Sequence, residues 1–154
     1  MSNVFLTQFE GKKRVVLFPP DQSDLLYRLP FNVHSTVDID KPDYKEYPAL
    51  KYAKGLTGIL EYGDTLFMPS GYWHHIEYLE GGYGLSVRSL PTQFSVKLKG
   101  FYNLTIQRKL DDMLRFTFGN KWFELKKSIA KKRAERAIKR MHKNNAHSGD
   151  LAFQ

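Results

Sequence analysis

Alternation of apolar and polar positions from Asn3 to Leu90 marks out a series of short strands. The runs are Val4 to Phe9, Arg14 to Phe18, Leu56 to Leu60, Thr65 to Met68, Tyr72 to Leu79 and Tyr83 to Leu90. Each is rich in β-formers and short enough to be a half-buried strand. Glu10-Gly11, Gly63-Asp64 and Gly81-Gly82 punctuate them as turns. The pattern predicts a mainly β, antiparallel domain over residues 1–92.

Between the second and third runs, residues 19–55 lose that period. This stretch holds five of the seven prolines, with Tyr27, Tyr44, Tyr47 and Tyr52, a composition too aromatic for a disordered linker. An ordered, irregular excursion is expected, acting either as a lid or binding surface or as plain cover for one open side of a sheet. After Pro91 the period becomes helical. Leu104, Ile106, Leu110, Met113, Leu114 and Thr117 are followed by a break at Phe118-Gly119-Asn120. A second arm then runs from Trp122 through Leu125, Ile129, Ala130, Ala134, Ala137 and Ile138 to Met141. A helical hairpin over 93–143 and a flexible tail over 144–154 are predicted.

A chain of 154 residues suits one domain, burying about 70% of its unfolded surface. No apolar run approaches the roughly 20 residues of a membrane span, and no leader pattern opens the chain, so a cytoplasmic protein without membrane partners is expected. The absence of cysteine excludes disulfides and thiolate metal sites. Any metal would need His, Asp, Glu and water, a donor set suited to Fe(II), Mn(II) or Ni(II). The net charge of +8 is local: Lys121 to Lys143 carries ten Lys and Arg against Glu124 and Glu135, and the remainder sums to zero. This arm fits either phosphate binding on RNA or a solvated face on a packing or dimerising helix. Few aromatics interleave it for base stacking, and Ala130, Ala134 and Ala137 allow close helix approach.

Candidate chemistry is densest from Gly63-Asp64 through Met68-Pro69 to Tyr72-Trp73-His74-His75-Ile76-Glu77. Gly-Asp gives a tight turn, Pro ends a strand, and the next strand presents histidine. Tyr72, His74, Ile76 and Tyr78 share one face of that strand and Trp73, His75 and Glu77 the other. One of the two histidines therefore looks inward, and a one-residue slip would exchange them. Upstream, Gly11-Lys12-Lys13-Arg14 is either a turn with three solvated cations or the start of a strand carrying a buried lysine towards a carboxylate. Arg88 alternates with Leu85 and Val87, on a strand expected to pair with the histidine strand. It either clamps a carboxylate from the inner face or makes a rim salt bridge with Glu77 or Glu80.

Together the Gly-x-Lys strand and the Gly63 to Glu77 segment resemble cupin-type oxygenases of the JmjC and factor-inhibiting-HIF kind, over residues 11–90. The resemblance implies a cupin or jelly-roll (double-stranded β-helix) fold and a hydroxylase that uses Fe(II) and 2-oxoglutarate. It implies His74 as a metal ligand and Lys13 as the anchor of the 2-oxoglutarate carboxylate. Arg88 competes for the anchor role, because some other 2-oxoglutarate oxygenases use an arginine on a late strand. It further implies a homodimer through the C-terminal helices and a protein or RNA substrate. In the family a His-x-Asp pair supplies the other iron ligands, just before the strand that here opens at Asn3, and this pair is absent. Asp21, Asp24 and His34 follow the lysine strand and do not replace it by spacing. The expectation is the C-terminal part of such a hydroxylase, inactive as this isolated chain and with no catalytic residue of its own. A non-catalytic cupin-like binding or dimerisation module and an RNA-directed hydroxylase docking through the basic arm are the alternatives.

Overall fold

The computed structural model of the protein describes residues 2–89 and 102–150. The predicted arm residues 93–101 and the tail residues 151–154 lie outside the described residues. The chain divides into two compact units, Met1–Asp21 with Lys54–Ile106, and Gln22–Ala53 with Gln107–Gln154.

The first unit is mainly β. Its strands are β1 (Asn3–Gln8), β2 (Lys13–Phe18), β3 (Leu56–Leu60), β4 (Thr65–Met68), β5 (Trp73–Tyr78) and β6 (Gly84–Ser89). They form two three-stranded antiparallel sheets, ordered β4-β1-β6 and β3-β2-β5. Directly opposed residues of neighbouring strands share a face. The register Val4↔Met68 and Leu6↔Leu66, with Val15↔Ile76 and Lys13↔Leu60, therefore defines one inner face per sheet. The inner faces meet in a core of Leu6, Val15, Leu17, Leu60 and Met68, with Val4, Leu66, Tyr72 and Ile76 packed against it. Alternation within each strand is what lets six short segments bury this cluster while keeping polar residues outside.

Tight turns carry the chain from one sheet to the other. Gly11 sits at φ +71° with the Gly81 carbonyl where a Cβ would stand, so glycine alone lets the β1–β2 turn approach the β5–β6 turn. There the N–H groups of Leu79 and Glu80 donate to the Lys12 carbonyl at 2.9 and 3.2 Å.

In the second unit a short 3-10 turn, Pro48–Tyr52, packs on a long helix. A π-helical segment, Tyr102–Gln107, leads into α1 (Arg108–Phe118), and α2 runs Asn120–Asp150. Gly119 separates the two helices at φ +51°, and its N–H donates to the Arg115 carbonyl at 2.8 Å. Asp111 and Lys126 meet across this break at 2.8 Å, so the two arms fold back on each other. The excursion is ordered and packs on α2: Phe31 stacks near Trp122 with centroids 5.9 Å apart, and Lys131 bonds Glu46 at 3.2 Å. Its own core centres on Tyr27, which is buried, meets Tyr47 edge-on at 4.9 Å and accepts the Ala49 N–H at 3.0 Å. Burial raises the Tyr27 phenol above its ordinary value. Among the described residues no helix is long and apolar enough to cross a membrane.

One expectation about pairing is corrected. The Arg88 strand, β6, pairs with β1 and not with the histidine strand, which pairs with β2. Every connection except that between β2 and β3, which pair in one sheet, moves the chain to the opposite sheet, so β5 and β6 face each other across the core instead of lying side by side.

Candidate functional site

Lys13 opens β2 on the inner face, opposite Leu60 and Tyr78. Only 5% of the residue is exposed. Its Nζ lies 4.8 Å from the centroid of the Tyr78 ring, and no hydrogen bond or ion pair engages it among the described residues. Its two neighbours differ. Lys12 is half exposed and pairs with Glu61 at 3.0 Å and Glu80 at 4.0 Å. The Glu61 hydrogen bond, with the charge of both carboxylates, raises its ammonium above the ordinary lysine value. Arg14, on the outer face, holds Glu77 at 2.7 Å. Of the three consecutive cations, alternation turns only the middle one inward.

Above Lys13 the neighbouring sheet approaches closely at a glycine. Gly84 stands opposite Gln8 in the β1–β6 ladder. A Cβ there would come within 2.5 Å of the Thr7 carbonyl, 3.0 Å of Gln8 Oε1 and 3.3 Å of Lys13 Nζ. The first contact explains why the position holds glycine, since no side chain fits against that backbone oxygen. The other two show that Gln8 and Lys13 converge on the same bare strip of β6. Gln8 is fully buried, and its Oε1 lacks a hydrogen-bond partner. A buried ammonium and a buried unpartnered acceptor around a side-chain-free strand suit a polar ligand, and the positive charge selects an anion. Sequence reasoning missed Gln8. The glutamine three residues before a turn glycine gave no period or charge signal to find it by.

His74 lies opposite Leu17 on β5, hence on the same inner face as Lys13, Ile76 and Tyr78. Its side chain is exposed. His75 lies opposite Val16 on the outer face with Arg14 and Glu77. Arg88 faces inward opposite Val4, on the same side of β6 as Ser86 and Gly84, and is exposed. The carboxylates considered for an Arg88 salt bridge are engaged elsewhere, Glu77 by Arg14 and Glu80 by Lys12. No three His, Asp or Glu side chains that could hold a metal come together among the described residues. The donors fit a carboxylate; they do not by themselves fit iron.

Two small antiparallel sheets packed face to face, with the chain changing sheet at every connection but that between β2 and β3 and charged groups collected on the inner faces, define a jelly-roll of the cupin class. The profile of the cupin-like domain matches residues 1–106. The chain belongs to that family. Over 91 residues it is 38% identical to the tRNA wybutosine-synthesizing protein 5 of Gallus gallus, covering 58% of this chain and 28% of that protein. Over 78 residues it is 40% identical to an HSPB1-associated protein 1 homolog of Danio rerio, covering 47% of this chain and 17% of the relative. The JmjC domain-containing protein D of Dictyostelium discoideum is 35% identical over 86 residues, with 53% and 19% covered. The chain thus spans 28% or less of the length of these relatives.

Proposed function

We propose that this chain carries the cosubstrate-carboxylate side of a JmjC-type, Fe(II)- and 2-oxoglutarate-dependent hydroxylase, with Lys13 as the anchor, and that it does not turn over on its own. The observation behind this reading is the inward ammonium of Lys13, buried beside the bare strand at Gly84 with no ion-pair partner among the described residues. A buried cation is stabilised chiefly by a counter-ion, and one left open on an inner face is a binding group more readily than a structural one. 2-Oxoglutarate supplies a carboxylate for such a group. Bound iron would supply the oxidising chemistry; the chain's own residues bind and orient the cosubstrate and shield it from water. His74, on the same face, is the residue offered to the metal.

Titrating 2-oxoglutarate into 15N-labelled protein tests the proposal. Saturable amide shifts at Lys13, Tyr78 and Gly84 are expected, lost in Lys13→Met and kept in Arg88→Met. Loss in Arg88→Met alone would move the anchor to Arg88. Shifts that survive both substitutions would leave only the reading as a non-catalytic module.

A second reading, docking on RNA, draws on α2. Lys132, Arg136, Lys139, Arg140 and Lys143 are spaced as one helical stripe and are largely exposed, and none is paired with a carboxylate among the described residues. One of the relatives is a tRNA wybutosine-synthesizing protein, which makes RNA the polyanion to try first. Five cations on phosphates would give log K against log salt a slope of about −3 to −4. A flat response would remove this reading.

A further inference from the structure

Gln8 is pinned at both its backbone and its side chain. Its N–H donates to the Asp64 carbonyl at 3.0 Å, and its carbonyl accepts from the Gly63 N–H at 2.9 Å. The side-chain NH2 group donates to the Glu10 carbonyl and, at 3.4 Å, to the Gly11 carbonyl. Those two acceptors take both amide protons, which fixes which way round the amide lies. Oε1 is therefore turned towards Gly84, where it is buried without a donor. The Lys13 ammonium reaches the same glycine from β2. It carries three N–H donors and no acceptor, and a carboxylate ligand, with its two oxygens, leaves one of the three over.

We infer that Gln8 is a positioning residue that aims Lys13: on carboxylate binding, one ammonium proton turns to Gln8 Oε1 while the other two face the ligand. The inference rests on reading Lys13 as a carboxylate anchor. The arrangement completes the hydrogen bonding of two groups that are each incomplete alone, and it fixes an otherwise rotatable point charge in one direction. Gln8 touches no ligand in this scheme and acts through Lys13. A water molecule or a hydroxyl of the ligand taking the place of the ammonium at Oε1 is the competing outcome.

The test uses the full chain with succinate and 2-oxoglutarate as probes. Gln8→Leu keeps the buried volume and removes the acceptor; it should weaken both probes about tenfold, the worth of one hydrogen bond to a charged group. Circular dichroism run alongside separates this from loss of fold, because a merely structural Gln8 would lower stability and leave the affinity of the folded fraction unchanged. In the unsubstituted protein saturated with succinate, a hydrogen-bond coupling is expected between Lys13 15Nζ and the Gln8 side-chain carbonyl carbon. If Lys13→Met abolishes binding while Gln8→Leu leaves it intact, or the saturated protein shows no such coupling, Gln8 does not aim Lys13. If Lys13→Met binds as the unsubstituted protein does, the anchor reading falls first and this inference with it.

Discussion

The helical arms are held by a polar contact where an apolar one would be usual, and breaking it should be costly. Asp111 and Lys126 are 9% and 4% exposed. Lys126 Nζ donates to both carboxylate oxygens at 2.8 and 2.9 Å, and Trp122 Nε1 donates to Oδ1 at 2.8 Å. Asp111→Leu strips three hydrogen bonds and leaves an ammonium buried with no counter-ion. Removing one partner of a buried pair costs about 3–5 kcal/mol, a large share of the 5–15 kcal/mol that holds a typical domain together. At this chain length the loss corresponds to a fall in Tm of roughly 10 °C. The double variant Asp111→Leu with Lys126→Met removes both charges and should recover most of the loss, because the desolvation penalty goes with the attraction. Urea unfolding followed by far-ultraviolet circular dichroism reads both. A single variant within about 1 kcal/mol of the original, or a double variant as unstable as the single, would refute the reasoning.

Three further outcomes are expected. Gly11→Ala should destabilise the β unit by more than about 1 kcal/mol, since it strains φ +71° and meets the Gly81 carbonyl; an unchanged urea midpoint would contradict this. Tyr27 is protonated more firmly in the folded state than when unfolded, because burial raises its phenol above 10.0. The stability this confers is complete below the unfolded value and drains away as pH rises through the folded one, so unfolding scans should show a loss beginning near pH 10 that Tyr27→Phe lacks. Finally, Leu110, Met113, Phe116 and Phe118 are all exposed, Phe116 by 93%. A run of large exposed apolar side chains on one short element marks an interaction surface. A second copy is proposed to cover them: the protein should elute as a dimer and Met113→Glu with Phe116→Ser as a monomer, and a monomeric unsubstituted protein would end that proposal.

Much of the first unit was legible because strand alternation is a local property. Val4, Leu6, Val15, Leu17 and Ile76 fall on the core side where a period of two puts them, and the same count sends His74 inward and His75 outward. Partner choice is not local, and it failed where Arg88 was assigned a neighbour: which sheet a strand joins depends on where each turn sends the chain, and nothing in the sequence near Gly81-Gly82 encodes that. The helical arms were readable from their period, but their contact was not. The period of α1 suggests an apolar seam, whereas its one buried residue is Asp111. Lys13 was named from a motif, and its burial follows from standing first on a strand whose next inward residues are Val15 and Leu17. Gln8 stayed invisible because its significance lies in an atom left without a donor, a property of the folded chain.

The separation of paired strands along the chain also bears on how the protein is made. Every strand pairing here is distant along the chain: β1 finds its partners only in residues 65–89, and β2 in residues 56–78. At about 5–20 residues per second of synthesis, β1 waits roughly 4–16 seconds for the last of them to be polymerised. Through that interval Phe5, Leu6 and Phe9 have no ladder to join, and non-local pairing is slow even once all the strands are present. Escape from early self-association therefore depends on events at the ribosome exit as much as on the stability of the finished fold.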